Sequence, residues 1–305
     1  MPPTIDSPPP MVRVVTAGHV NWDVTLRVDE LPVPDGEAQI GSQRRSGGGS
    51  SANVAVALSR LGVESGLVGS VGTDEHGLLA RRELEAAGVD TSHLLSVENA
   101  ATTVKYLIVA ESGEVMVLGN EGANERYDPA DVAGSFLAAA DHLHLTGQQP
   151  ETAAALAAQA AEMGLSVSFD PGRRLAARDF RETLAVADVI FLNDHEAATI
   201  LDADVESPCA ELDCRVVVTK HGGDGASVHT TAGSYSHPGF GVDPVDTTGA
   251  GDSFAAGFLA QLLAYDDYER ALEYANACGA LASLAEGART APTRAEVVEF
   301  LAEQY

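Results

Sequence analysis

Asp246-Thr247-Thr248-Gly249-Ala250-Gly251-Asp252-Ser253-Phe254, running on into Ala255-Ala256-Gly257-Phe258-Leu259-Ala260-Gln261-Leu262-Leu263, is the stretch around which this chain is organised. Phe254, Phe258 and Leu262 recur every four residues, which predicts a helix with one apolar stripe. The residues before it then form a small-residue turn at that helix's N-terminus. There the N–H groups of Gly249, Ala250 and Gly251 have no intrahelical partners and sit at the positive end of the helix dipole. Such a place binds anions, and glycines let a phosphate approach the backbone without meeting a Cβ. A carboxylate beside it, Asp252, is unfavourable unless it has a task. Accepting a proton from an attacking hydroxyl is one task, and complementing the dipole from the first turn is the other.

The rest of the composition bounds what this stretch can belong to. A chain of 305 residues that is 45% hydrophobic suffices for one large α/β domain, or a domain plus a small lid. No apolar run reaches the roughly eighteen residues of a membrane span, and no signal peptide is visible. Residues 1–11, rich in proline, predict a disordered tail. Cys209, Cys214 and Cys278 lack zinc-like spacing; Cys209 and Cys214 could pair, but free thiols in a cytoplasmic protein are expected. Acidic residues number 45 against 18 basic ones, a net charge of −27, and the only lysines are Lys105 and Lys220. This charge repels nucleic acid and anionic membranes, so neither is an expected partner. It is spread along the chain, which predicts either an ordinary solvated surface or adaptation to a halophilic cytoplasm, where salt screens the self-repulsion. Against that background each basic residue near the site carries more information.

Along the chain, Val12–Gly18 reads as a first strand and His19–Leu26 continues extended until Pro32, Pro34 and Gly36 break it. Ser50–Asn53 opens a helix with Val54, Leu58 and Leu61 on one face, ended by Gly62. A strand over Leu67–Val71, a helix over Leu78–Ala87 and a hairpin of Thr103–Val109 with Val115–Leu118 follow. Strands near His142–Leu145, Ser166–Phe169, Val189–Leu192 and Val216–Thr219 then alternate with helices, notably Glu151–Met163 and His195–Leu201. That alternation predicts an α/β fold, a parallel sheet with helices on both faces. The segments near 21–46 and 101–119 do not fit it and predict a small β-sheet lid over the sheet's carboxyl edge.

Five motifs in order resemble the ribokinase, or PfkB, family of carbohydrate kinases, and the resemblance spans residues 12–305 as one ribokinase-like, Rossmann-like domain. Asp246–Phe254 is similar to its C-terminal signature, which implies an anion hole at Gly249, Ala250 and Gly251 with Asp252 as catalytic base. Gly18-His19-Val20-Asn21-Trp22-Asp23 resembles the first-strand sugar motif, implying that Asn21 and Asp23 grip hydroxyls. Gly47-Gly48-Gly49-Ser50-Ser51-Ala52-Asn53 resembles the glycine signature, implying substrate contacts from Gly48, Gly49 and Asn53. Asn193-Asp194-His195-Glu196 matches the Asn-x-x-Glu motif, implying magnesium held through water by Glu196 and Asn193. Lys220-His221-Gly222-Gly223-Asp224-Gly225 stands where the family places a nucleotide loop, implying nucleotide contacts from Lys220, Gly222 and Gly225, with Asn193 and Thr248 beside them. The resemblance further implies ATP as phosphate donor and a monovalent cation such as potassium near Asp246, bound mainly by carbonyls. A homodimer through the lid is the expected assembly.

The acceptor is less determined. The family's ribokinases commonly carry Lys where this chain has Ser50, which weakens a free-ribose reading. Arg44-Arg45, Lys105 and Arg173-Arg174 could hold a phosphate already on the sugar, or could make local ion pairs with an acidic surface. Asp170-Pro171-Gly172-Arg173-Arg174 resembles the Asp-Pro-Asn-x-Arg stretch of hexose and keto-sugar kinases, with Gly172 in place of Asn. The expectation leans to a sugar phosphate such as ribose 1-phosphate or a hexose phosphate. A nucleoside or keto-sugar-acid kinase is the alternative, and a non-catalytic sugar or nucleotide binder the remote one. Gly47–Ala52 also fits the loose G-x-G-x-x-A pattern of dinucleotide enzymes, but some thirty residues separate it from the first strand. His142 and His144, at i and i+2 on an apolar strand, are expected to be structural. Trp22 is open to stacking on a ligand or to packing.

Overall fold

The computed structural model describes residues 12–201 and 207–304; the expected N-terminal tail lies outside them. The strands are β1 Arg13–Ala17, β2 Asn21–Val28, β3 Ile40–Gly48, β4 Glu64–Gly72, β5 Asp90–Val97, β6 Val104–Ala110, β7 Val115–Gly119, β8 His142–Thr146, β9 Ser166–Asp170, β10 Val189–Asn193, β11 Val216–Lys220, β12 Ala226–Thr230 and β13 Ser234–His237. The helices are α1 Ser50–Arg60, α2 Glu75–Ala86, α3 Gly134–Ala138, α4 Pro150–Glu162, α5 Arg181–Leu184, α6 Asp194–Ile200, α7 Pro208–Leu212, α8 Ala250–Tyr265, α9 Tyr268–Ser283 and α10 Arg294–Ala302.

Two sheets form among the described residues. The larger has the order β13-β12-β11-β10-β9-β8-β1-β4-β5, parallel from β11 to β5, with β12 and β13 antiparallel at its edge. Its central strands are short continuous apolar runs, as strands covered on both faces must be: Val14, Val15, Leu143, Leu145, Ile190, Phe191 and Val216–Val218 are all fully buried. The chain leaves β1 toward β4 on one side and returns to β8 on the other. The sheet therefore has its switch point between β1 and β8, and the carboxyl ends there open a crevice. The smaller sheet, ordered β3-β2-β6-β7, consists of the two segments that fell outside the α/β alternation.

Helix α8 is the central helix of one face, packed between α1 and α9. It is buried all round from Ser253 to Leu262, not along one stripe, because neighbours on both sides cover what Phe254, Phe258 and Leu262 do not. Burying Phe258 alone contributes roughly 1.5–3 kcal/mol of hydrophobic stabilisation. Strand β5, the β12–β13 hairpin, α9 and α10 were not anticipated. Strands β5 and β13 carry polar residues at exposed edge positions and so lack the apolar run that marks the central strands. The three cysteines are free and buried.

Candidate active site

Gly249 caps α8 in the left-handed region, with φ of 80°, and a Cβ there would collide with the Ala288 carbonyl oxygen. Only glycine makes this turn at this approach, and the turn aims the first α8 amides at the sheet's carboxyl edge. Asp246 holds the turn from behind. Its two carboxylate oxygens accept from the Thr248 and Gly287 N–H groups, both at 2.9 Å. Asp252 stands in the first turn of α8 and accepts a 2.8 Å hydrogen bond from Asn53 Nδ2 of α1. Burial pushes its carboxyl up to about 7, and the charge of Asp170 adds to this against the pull of Asn53, Lys220 and Lys105. A carboxylate poised near neutrality, rather than fully ionised on the dipole, is what a general base at the edge of an anion hole requires.

The glycine-rich signature and the first-strand motif meet at the same place. Register pairs Asn21 with Gly48 and Asp23 with both Ser46 and Lys105 across the small sheet. A Cβ on Gly48 would collide with the Asp23 carboxylate, so glycine is what lets that side chain lie across the strand. Three buried polar atoms here have no protein partner: Asn21 Nδ2, Asp23 Oδ1 and Asn53 Oδ1. Leaving such groups dry costs about 1–3 kcal/mol each unless a polar ligand satisfies them. One donor and two acceptors side by side match the vicinal hydroxyls of a sugar.

The expected cations separate into two groups. Burial lowers the pKa of both Lys105 and Arg174; Lys105 also feels the charges of Asp23, Arg174, Arg173 and Asp252, and Arg174 those of Arg178 and Glu125. Among the described residues neither side chain has a hydrogen bond or an ion pair. Pleating puts Arg45 on the same side of the small sheet as Val24 and Tyr106, opposite Asp23 and Lys105, where its guanidinium faces the Gln43 amide. Arg44 shares the Asp23 side, but its guanidinium rests against Gly287. Trp22 is a core residue, stacked on His76 at 6.1 Å between ring centroids.

On the other side of the crevice, Asn193 and Glu196 form a reciprocal capping box at the start of α6. Each side chain accepts from the other's backbone N–H at 2.9 Å. Glu196 is buried, and burial raises its pKa, with Asp170 adding to the effect. One Glu196 oxygen remains for a water shell, whereas the Asn193 oxygen is already used. No group of three or more His, Cys, Asp or Glu side chains among the described residues is arranged to hold a metal. The Lys220–Gly225 loop joins β11 to β12, with Gly222 exposed at φ 61° and Gly225 buried at φ 88°.

Several site residues carry no motif. Arg289 lies under the glycine signature: it pairs with Glu83 at 3.0 Å and donates to the Gly48 carbonyl at 3.4 Å. Asn124 donates to Asn21 Oδ1 at 2.6 Å. Glu125 takes a bidentate grip from Arg178, at 2.7 and 3.1 Å, and a 2.5 Å contact from His19; against the push of burial these hold its carboxyl down to about 2. The excess of acidic over basic residues, 45 against 18, was the only signal that could have drawn attention to Arg289.

A family model described as pfkB family carbohydrate kinase matches residues 11–294. The chain is 60% identical over 295 residues to the ATP-dependent ribose-1-phosphate kinase of Halopiger xanaduensis, covering 97% of this chain and 100% of that one. It is 29% identical over 304 residues to a nucleoside kinase of Methanothermobacter thermautotrophicus, covering 96% of each. The fold is that of the ribokinase of Arabidopsis thaliana solved with ribose and ATP, with a TM-score of 0.86 at 23% identity, covering 95% of this chain and 99% of that one.

Proposed function

The chain belongs to the pfkB family of carbohydrate kinases, and from that premise we propose that it transfers the γ-phosphoryl group of ATP to a hydroxyl of ribose 1-phosphate. The observation that carries the acceptor is the Lys105 and Arg174 pair. In a chain with 45 acidic residues, these two partly buried cations have been left without an ion pair beside the sugar-binding atoms. A phosphate on the sugar supplies the missing negative charge, and the 60% identical relative named for ribose 1-phosphate supports the same reading. The roles of Asn21, Asp23, Asn53 and Asp252 follow from it. The first three fix the sugar through their unpartnered atoms, and Asp252 accepts the proton of the attacking hydroxyl. The Gly249–Gly251 amides meet the charge that develops on the transferred group.

Magnesium fits the donor set as a guest of the nucleotide. The free Glu196 oxygen can order its water, and most ligands would be phosphate oxygens and water. A bound magnesium ion would neutralise phosphate charge. A potassium ion beside Asp246 would rest on carbonyls of the two loops that this side chain ties together, because both its own oxygens are used. The small sheet acts as a lid that excludes water from the crevice. All five residues of its edge strand β7 are exposed, and Val115, Met116, Val117 and Leu118 are apolar. We assign the lid of a second copy as their cover. A cytoplasmic location is part of this proposal, supported by the expected use of ATP, and the charge of −27 fits a salt-rich cytoplasm, in keeping with a Halopiger relative.

The decisive experiment is an acceptor panel with ATP and magnesium in concentrated potassium chloride, comparing ribose 1-phosphate, hexose phosphates, ribose, a keto-sugar acid and nucleosides. Ribose 1-phosphate is expected to give the highest kcat/KM. Lys105→Met and Arg174→Ala should each raise KM for it by on the order of tenfold while sparing a free sugar. Preferred turnover of a nucleoside or an unphosphorylated sugar would end the reading. A monomer by light scattering at micromolar concentration would remove the lid dimer.

A further inference from the structure

Of the chain's two lysines, Lys105 lies on the small sheet opposite Asp23, and Lys220 belongs to the large sheet. It closes β11, level with Asn193 of β10, so its side chain leaves the sheet at the carboxyl edge. Its Nζ donates to Asp170 Oδ2 at 2.6 Å, and both side chains are largely buried, 17% and 15% exposed. A Cβ placed on Gly251 would lie 3.8 Å from that nitrogen and would meet nothing else. The ammonium thus sits against the anion-hole turn rather than out along the nucleotide loop. Glu196 and Asp252 also feel its charge. An ammonium has three N–H donors, and Asp170 takes only one of them.

We propose that Lys220 is a catalytic residue whose ammonium, anchored by Asp170, contacts the γ-phosphoryl group during transfer. The acceptor oxygen forms a bond to the γ-phosphorus as the bond from that phosphorus to the β,γ-bridging oxygen breaks. Asp252 receives the hydroxyl proton, ADP leaves, and Lys220 stays protonated throughout. Its two free N–H groups meet equatorial oxygens from the side facing the Gly251 amide, so a fixed positive charge and the backbone donors act on the same developing charge. A compact ammonium suits this role because it can follow an oxygen through the small displacement of the phosphorus, which a rigid guanidinium fork cannot. Asp170 holds the nitrogen on the site side of β11 and offsets its charge in the empty enzyme.

The inference rests on the kinase reading but not on the identity of the acceptor, and nucleotide binding tests it without any sugar. Calorimetric titration of the full chain in concentrated potassium chloride with magnesium would compare ADP with the non-hydrolysable triphosphate AMP-PNP. Lys220→Met should weaken AMP-PNP by about tenfold or more while ADP stays within about twofold, because only the triphosphate carries the contacted group. Its kcat on the best acceptor of the panel should fall by on the order of 10²–10³, the usual loss for one transition-state donor. The double variant Asp170→Asn/Lys220→Met removes the ammonium together with the carboxylate it is hydrogen-bonded to, so it remains usable if the single variant fails to fold. It should stay as inactive as Lys220→Met. Recovery of turnover in the double variant, equal weakening of both nucleotides, or unchanged binding and kcat would each make Lys220 only a strut for Asp170 and overturn the proposal.

Discussion

Replacing Asp252 with Asn should sharply lower turnover and stabilise the fold, with a pH signature that separates the two effects. In the folded enzyme burial raises the pKa of this carboxyl from 3.8 to about 7. Each unit corresponds to 1.36 kcal/mol, so keeping the group ionised inside the crevice costs roughly 4 kcal/mol once the pH exceeds both values. The sign follows from proton counting. Between about pH 4 and 7 the folded state holds a proton that the unfolded state has released, so native stability falls as pH rises through that window. Asn is close in shape, can still accept from Asn53 Nδ2, and cannot ionise. The stability gap between variant and native enzyme should therefore widen by roughly 2–3 kcal/mol between pH 5 and pH 8. Urea denaturation at those two pH values, at one fixed high salt concentration, reads this directly. In parallel, kcat should fall on the order of 10²–10⁴-fold, and native kcat/KM should rise with pH through about 7 as the base ionises. A gap that stays flat with pH, or a variant that keeps near-full turnover, would refute the reasoning and leave Asp252 as a dipole-complementing cap.

Gly249→Ala forces a Cβ into the left-handed region and onto the Ala288 carbonyl, and should cost roughly 1–3 kcal/mol besides lowering kcat; thermal melts and turnover on one preparation check both. Burial lowers His142 to about 3 and His144 to about 4, so both fold neutral and their contribution is lost as pH falls below 6.5. Measured in the Asp252→Asn background, where the opposing slope of Asp252 is gone, replacing either histidine should flatten a stability drop of up to roughly 2 kcal/mol between pH 7 and 5, and an unchanged slope would contradict their neutral burial. Lowering potassium chloride well below molar should reduce the melting temperature through self-repulsion of the −27 charge. An unchanged melt in dilute buffer would remove the halophilic reading.

The sequence by itself determined much of this protein. The period-four apolar residues after Asp252, the glycines before it and the regular alternation of short strands with helices settled an α/β sheet with a glycine turn at a helix N-terminus. Local chemistry suffices for such features, because a turn that needs Gly249 and a strand such as Val216–Val218 announce themselves within a few residues. The same is true of the Asn193 and Glu196 capping box, whose three-residue spacing is its geometry. The edge strands were less legible, since a half-exposed strand lacks the apolar run that identifies a central one.

Only the tertiary structure decided which side chains share the crevice. Arg44, Arg45 and Lys105 read alike along the chain, yet the strand pleat sends Arg45 to the far side of the small sheet, and Arg44 rests on Gly287. Asn124 and Arg289 reach the site from loops distant in sequence, so no spacing could predict them. The raised pKa of Asp252 and the pairing of Lys220 with Asp170 depend on burial and through-space charge, which come into being only when α8 is packed against the sheet edge. Local periodicity is a short-range property that the order of residues records, whereas proximity of charges is created by folding.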